Sequence, residues 1–173
     1  MTVRTGSVFD RLEQLGSGSN FAGKLVDLME KAEILRDLSR AEIEVLADYI
    51  QAYTAPVGVT VLREGDKESF MFVLAEGRLD ILKNTDTTST PKRLATVRAG
   101  KTVGEMSIID GLPHSATAVV AEKATLLLIT RRNFERYTEE HPQSGMKLLK
   151  KIAMLMSLRL RQTSGVLVDY IQG

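Results

Sequence analysis

The spacing of apolar positions changes along the chain, and each change marks a different kind of element. Val8, Leu12 and Leu15 recur at helical spacing before Gly16-Ser17-Gly18-Ser19 breaks the pattern. This predicts a short, loosely attached helix and a flexible link. Asn20 is placed to cap a helix with Phe21, Leu25, Leu28 and Met29 on one face. Ser39, with Glu42 three residues on, forms a capping box at the head of a second helix, whose stripe is Ile43, Leu46, Ala47 and Ile50.

From Tyr53 the period falls to two. Val57, Val59, Val61 and Leu62 form a β-branched strand pattern, and Arg63-Glu64-Gly65-Asp66 reads as a turn. Residues 70–74 are apolar throughout, as in a strand buried on both faces. Ala75-Glu76-Gly77-Arg78 reads as a tight turn into a strand with Leu79 and Ile81, and the polar stretch 84–91 as a solvated hairpin loop. Residues 93–97 give another strand, and 116–121 with 124–130 a closing hairpin around Glu122-Lys123. Short strands with glycine at nearly every corner predict an antiparallel sandwich or roll.

Helical spacing then returns. Thr130 caps a helix through Phe134 and Tyr137 that ends at His141-Pro142. A longer helix is expected over 143–163, followed by an apolar tail, 166–171, after Ser164-Gly165. Its apolar positions Leu148, Leu149, Ile152, Leu155, Met156 and Leu160 cover a wide arc, and Met154 and Leu158 add a further face. One stripe suffices to pack on a roll, so the surplus predicts a second surface. Lys147, Lys150, Lys151, Arg159 and Arg161 are read as a solvated face. Tyr170 on the tail is a candidate lid residue. The division expected is an arm (1–19), N-terminal helices (20–52), a β-roll (53–130) and C-terminal helices with a tail (131–173).

Composition narrows the chemistry. A net charge of +1 gives no global field to favour nucleic acid. Cysteine is absent, which removes disulfides, zinc–thiolate sites and a thiol nucleophile. With two histidines and no clustered Asp/His set, no metal cage or nucleophile–base pair stands out, so an enzyme is not expected. Haem ligation would rest on a single His. No leader pattern or membrane-length apolar run is seen, and no helix-turn-helix follows the long helix. The expectation is a cytoplasmic protein without DNA or membrane partners and without a resident cofactor.

The stretch that organises the rest is 103–118. A glycine leads into a short helix carrying Glu105 in its first turn, and a Gly111…Pro113 bend brings His114 and Ser115 back toward the same point. Free N–H groups at such a helix start can seat an anionic oxygen. The order of Gly104, Glu105, Met106, Ser107, Pro113, Ser115, Ala116 and Thr117 resembles the phosphate-binding cassette of the cyclic nucleotide-binding domain family. The glycines at 58, 65, 77, 100, 104 and 111 follow that family in order. Two positions depart from it: Val103 replaces an aromatic, and His114 replaces the phosphate-binding arginine.

The resemblance implies a mainly β fold with flanking α, an antiparallel jelly-roll or β-roll with N-terminal helices and a long C-terminal helix. It also implies a ligand, cAMP ahead of cGMP, held by Gly104, Glu105, Met106, Ser107, His114, Ser115 and Ala116. In that family the residue at 105 accepts from the ribose hydroxyl, and main-chain N–H groups take the cyclic phosphate. Further implications are a homodimer through the 143–163 helix and an effector protein that receives the signal. Three outcomes stay open at His114: weak binding that strengthens as pH falls, a substitute cation, or a different ligand or none. The last would make the chain a ligand-free interaction module.

Overall fold

The computed structural model describes Phe9 and residues 12–15, 19–85 and 88–171. Two long strands form its spine. β4 (Phe70–Thr85) and β7 (Thr117–Thr130) pair antiparallel from Phe70↔Thr130 to Leu82↔Thr117. Near Glu76–Arg78 the register shifts, and there the pair changes neighbours. On one side of the shift β7 carries β2 (Gln51–Ala55) and β4 carries β6 (Thr102–Val103). On the other, β7 carries β3 (Thr60–Leu62) and β4 carries β5 (Thr88–Arg98). The result is the antiparallel β-roll expected, with helices at both ends.

Two expected turns are corrected by this spine. Ala75-Glu76-Gly77-Arg78 does not reverse the chain; it is an irregularity inside β4. Gly77 takes φ +89°, and a Cβ there would lie 2.3 Å from the Lys123 carbonyl oxygen, so the two spine strands approach too closely for any side chain. Glu122-Lys123 likewise lies within the continuous β7 rather than at a hairpin. The loop expected over 84–91 is also shorter, since β4 runs to Thr85 and β5 begins at Thr88.

Alternation along β4 feeds two cores. Phe70, Phe72, Leu74 and Leu79 fill the roll with Val61, Val120, Leu126 and Leu128. Met71, Val73 and Ala75, with Leu127 and Ile129, face outward under the helices. Those helices are α1 (Ser19–Met29), α2 (Arg40–Ala47), α4 (Arg131–Glu140) and the base of α5 (Pro142–Ile171). A 3-10 turn at Glu33–Leu35 joins the first two.

The capping box at Ser39 and Glu42 forms as expected, and Thr130 accepts from the Asn133 N–H to open α4. His141 ends α4, and Pro142 opens α5, where its missing N–H costs nothing. Three end-of-chain expectations are corrected. Leu12 lies in a bend, and Glu13–Gln14 form a strand, β1, on β2, so no helix runs through 12–15; Val8 lies outside the described residues. Asn20 falls inside α1, which begins at Ser19. Ser164-Gly165 does not stop α5, which continues to Ile171; one helical glycine costs only about 1 kcal/mol against Ala and no proline follows. The tail is therefore helix, although the side chain of Tyr170 lies outside the described residues.

Candidate functional site

The cassette leaves β6 at Gly104 and becomes α3 (Glu105–Asp110). Gly104 has φ +87°, and a Cβ on it would fall 2.7 Å from the Phe70 carbonyl oxygen. Only glycine fits there, which is how the helix start lies flush on the roll. The Ser107 hydroxyl, 3.2 Å from the Phe70 carbonyl and 3.0 Å from that of Gly104, ties the first turn down, and Ile108 is buried behind it. Gly111 closes the helix in the left-handed conformation, donating its N–H to the Ser107 carbonyl.

All seven residues singled out in the sequence line one cavity of about 850 Å³: Gly104, Glu105, Met106, Ser107, His114, Ser115 and Ala116. Its other walls are β5, including Leu94 and Thr96, and α5, including Leu155 and Arg159. Glu105 is buried, 3% exposed, and the helix that carries it is formed. The Ser115 carbonyl accepts from Lys83 Nζ at 2.6 Å, and its hydroxyl lies 3.8 Å from Met106 Sδ. Thr117 belongs to the strand, its hydroxyl oxygen accepting from the Glu64 N–H at 3.0 Å.

His114 is not a solvent-facing loop residue. It is 4% exposed, and its ring meets Phe70 edge-on at 4.8 Å between centroids. Its backbone is pinned on both sides, its N–H donating to the Asp66 carbonyl and its carbonyl accepting from the Gly65 N–H. The ring hydrogen-bonds the Glu68 backbone, which leaves Nε2 unpartnered. Desolvation holds the imidazole below its ordinary pKa, against weaker opposing effects of the Glu68 backbone and Asp66, so it is neutral near pH 7.

The solvated face expected on α5 needs correction in part, for Lys150 and Arg161 are exposed as expected but the other three basic residues are paired. Lys147 bonds Glu42 at 2.8 Å and Lys151 approaches Asp37 at 3.4 Å, anchoring the helix base. Arg159 turns into the cavity: Nη1 bonds Glu105 Oε1, and Nη2 donates to the Thr102 carbonyl at 2.9 Å. Partial desolvation against the cavity wall lowers the pKa of this half-exposed guanidinium, with Glu33 opposing, yet it stays charged at neutrality. Its place was signalled by spacing, since Leu148, Ile152, Leu155 and Arg159 follow one helical seam. Three residues that line the cavity each carry a buried side-chain polar atom with no hydrogen-bond partner among the described residues: Thr102 Oγ1, Glu105 Oε2 and His114 Nε2. Among the described residues no group of three or more His, Asp or Glu is placed to hold a metal, and no helix is long and apolar enough to cross a membrane.

Comparison with known proteins agrees with this geometry. A crystal structure of a cyclic nucleotide-binding domain from Methylobacillus flagellatus superposes with a TM-score of 0.81 at 25% identity, covering 96% of this chain and 93% of that one. The cyclic AMP receptor protein of Thermus thermophilus is 26% identical over 134 residues, 78% of this chain and 60% of the relative. A cGMP-dependent protein kinase of Caenorhabditis briggsae is 26% identical over 156 residues, 85% of this chain and 20% of the kinase. The chain thus spans a fifth to three fifths of these curated relatives. Residues 54–141 match the cyclic nucleotide-binding domain as a family, and the chain belongs to that family.

Proposed function

We propose that the cavity binds a cyclic purine nucleotide, cAMP ahead of cGMP, and that binding is relayed to an effector protein through α5. The observation that carries this reading is the cluster of unpartnered, buried polar atoms around one cavity, Glu105 Oε2 foremost. Buried polar groups without partners are rare, and they gather where a ligand completes them. In this reading Glu105 accepts from the ribose hydroxyl, and the main chain of Gly104, Met106, Ser107 and Ala116 lies along the phosphate. Ser115 adds its hydroxyl, and His114 holds the position of the family's arginine. The cavity volume lies within the range usual for small-molecule sites. No resident cofactor and no DNA or membrane partner enter the reading, and the domain is placed in the cytoplasm. A homodimer through α5 also belongs to it, supported by the exposed Met146, Met154, Leu158 and Leu160.

A second reading, a ligand-free interaction module, is favoured by one feature. His114 packs on Phe70 and is neutral, so it does not offer the forked charge of an arginine. A charge-assisted hydrogen bond lost there is worth roughly 1.5–3 kcal/mol, about ten- to a hundred-fold in affinity. Calorimetry with cAMP and cGMP at pH 6 and pH 8, on wild type and His114→Arg, separates the two. The sensor reading expects measurable cAMP binding by wild type and about ten-fold or greater tightening by His114→Arg. Binding by the variant alone would indicate the interaction module, and binding by neither would end the nucleotide reading.

A further inference from the structure

The cassette offers a ligand a carboxylate but no cation. His114 is neutral and engaged with the Glu68 backbone and the Phe70 ring. Cations on the cavity wall or next to it come from elsewhere. Lys101 is held by Glu33 on the 3-10 turn. Arg98 ends β5 and is exposed at the rim. Lys83, beside the cassette, is taken up by Glu64 and the Ser115 carbonyl. Arg159 differs from all three because it is fixed on the very carboxylate that the nucleotide reading requires.

We propose that Arg159 of α5 is the residue that holds the phosphate of the ligand, in place of the arginine missing from the cassette. The proposal rests on the nucleotide reading of the same cavity. Arg159 uses one N–H on Glu105 Oε1 and one on the Thr102 carbonyl. A guanidinium carries five N–H donors in a planar fork, so donors remain for an anion without breaking either bond. Glu105 has the matching surplus, for its buried Oε2 has no partner, and a ribose hydroxyl that reaches it as the ligand seats leaves Oε1 to the arginine. One carboxylate thereby positions both the sugar and the countercharge. A lysine would serve less well, since a point charge on a flexible stem cannot keep two anchors and still present a fork.

The test is calorimetry on the full chain with two probes, cAMP and adenosine; adenosine keeps the base and ribose and lacks the phosphate. Arg159→Gln is expected to weaken cAMP binding by about ten- to a hundred-fold and to change adenosine binding less than about three-fold. Adding His114→Arg to Arg159→Gln should recover most of the lost cAMP affinity, because a forked cation returns on the other side of the phosphate. Equal losses for cAMP and adenosine, or no recovery in the double variant, would mean that Arg159 acts only by placing Glu105, and would overturn the proposal. So would unchanged cAMP binding by Arg159→Gln, or cAMP binding that His114→Arg shows and wild type does not. Absence of cAMP binding by both wild type and His114→Arg would remove the nucleotide reading itself, a distinguishable failure. Arg159→Lys serves as the second variant should the glutamine fold poorly, and is expected to fall between wild type and glutamine for cAMP alone.

Discussion

The cassette wall of the cavity and the α5 wall hold their shapes in different ways. Along the cassette each turn is fixed by the roll: Gly104 against the Phe70 carbonyl, Ser107 on the main chain, Ile108 in the core, His114 between Asp66, Gly65 and Phe70. α5 is fixed at its base, where Leu148 and Ile152 are about 1% exposed and Lys147 and Lys151 are paired. From Ala153 to Leu160 its apolar residues are only partly buried or are exposed, and Arg159 ties it to the cassette. Segments with few buried contacts open at low cost, whereas core-backed ones open only with the whole domain. One wall therefore supplies fixed geometry, and the other supplies an adjustable charge.

The sharpest way to break this comparison is at the fixed wall. Gly104→Ala places a methyl 2.7 Å from the Phe70 carbonyl oxygen and 3.0 Å from Leu62 Cδ1, at a φ that alanine disfavours. The backbone of the spine strand cannot move aside, so the expected loss is roughly 3 kcal/mol of stability. Urea unfolding followed by circular dichroism checks this. A midpoint equal to wild type would mean that the cassette is as adaptable as α5.

A smaller effect is expected from pH, again at the fixed wall. Burial depresses the pKa of His114 in the fold, so the unfolded chain binds more protons between that depressed value and the ordinary histidine value of about 6.5. Stability from keeping the ring neutral is complete above about pH 6.5 and is lost as pH falls through the folded value. Glu33, Glu42 and Glu64, depressed first by hydrogen bonds from Lys101, Lys147 and Lys83, act with the same sign but at lower pH, below the ordinary carboxylate value. Unfolding midpoints between pH 7.5 and 5.5 should therefore decline in wild type and stay nearly level in His114→Gln. Equal slopes for the two proteins would show that the ring is not confined as described.

The same division governs what could be read from the sequence. The cassette was legible because its signals are local, glycines that permit one backbone shape and a carboxylate in a first turn, and the caps of α2 and α4, Ser39 with Glu42 and Thr130, were legible for the same reason. Gly77 was misleading because a bulge and a turn both ask for a left-handed residue, and only pairing with β7 decides between them. His114 was legible as a departure but not in its consequence, since its burial depends on Phe70, far away along the chain. Arg159 was missed because a basic residue on a helix is usually solvated, and its seam position mattered only once α5 lay across the cavity.

The smallest expected change in stability comes from the free side of α5. Met146, Met154 and Leu158 follow one line of the helix at exposures of 65%, 56% and 50%, with Lys150 between them. Among the described residues no other element covers Met154, so Met154→Glu should alter the unfolding midpoint by less than about 0.5 kcal/mol equivalent. If two copies pair along this line, as the proposed homodimer requires, each interface would receive a buried carboxylate from both sides. Light scattering on the eluting peak should then give a dimer for wild type and a monomer for Met154→Glu at the same concentration. The same mass for both proteins would assign the exposed methionines to no self-contact and leave the adjustable wall facing solvent.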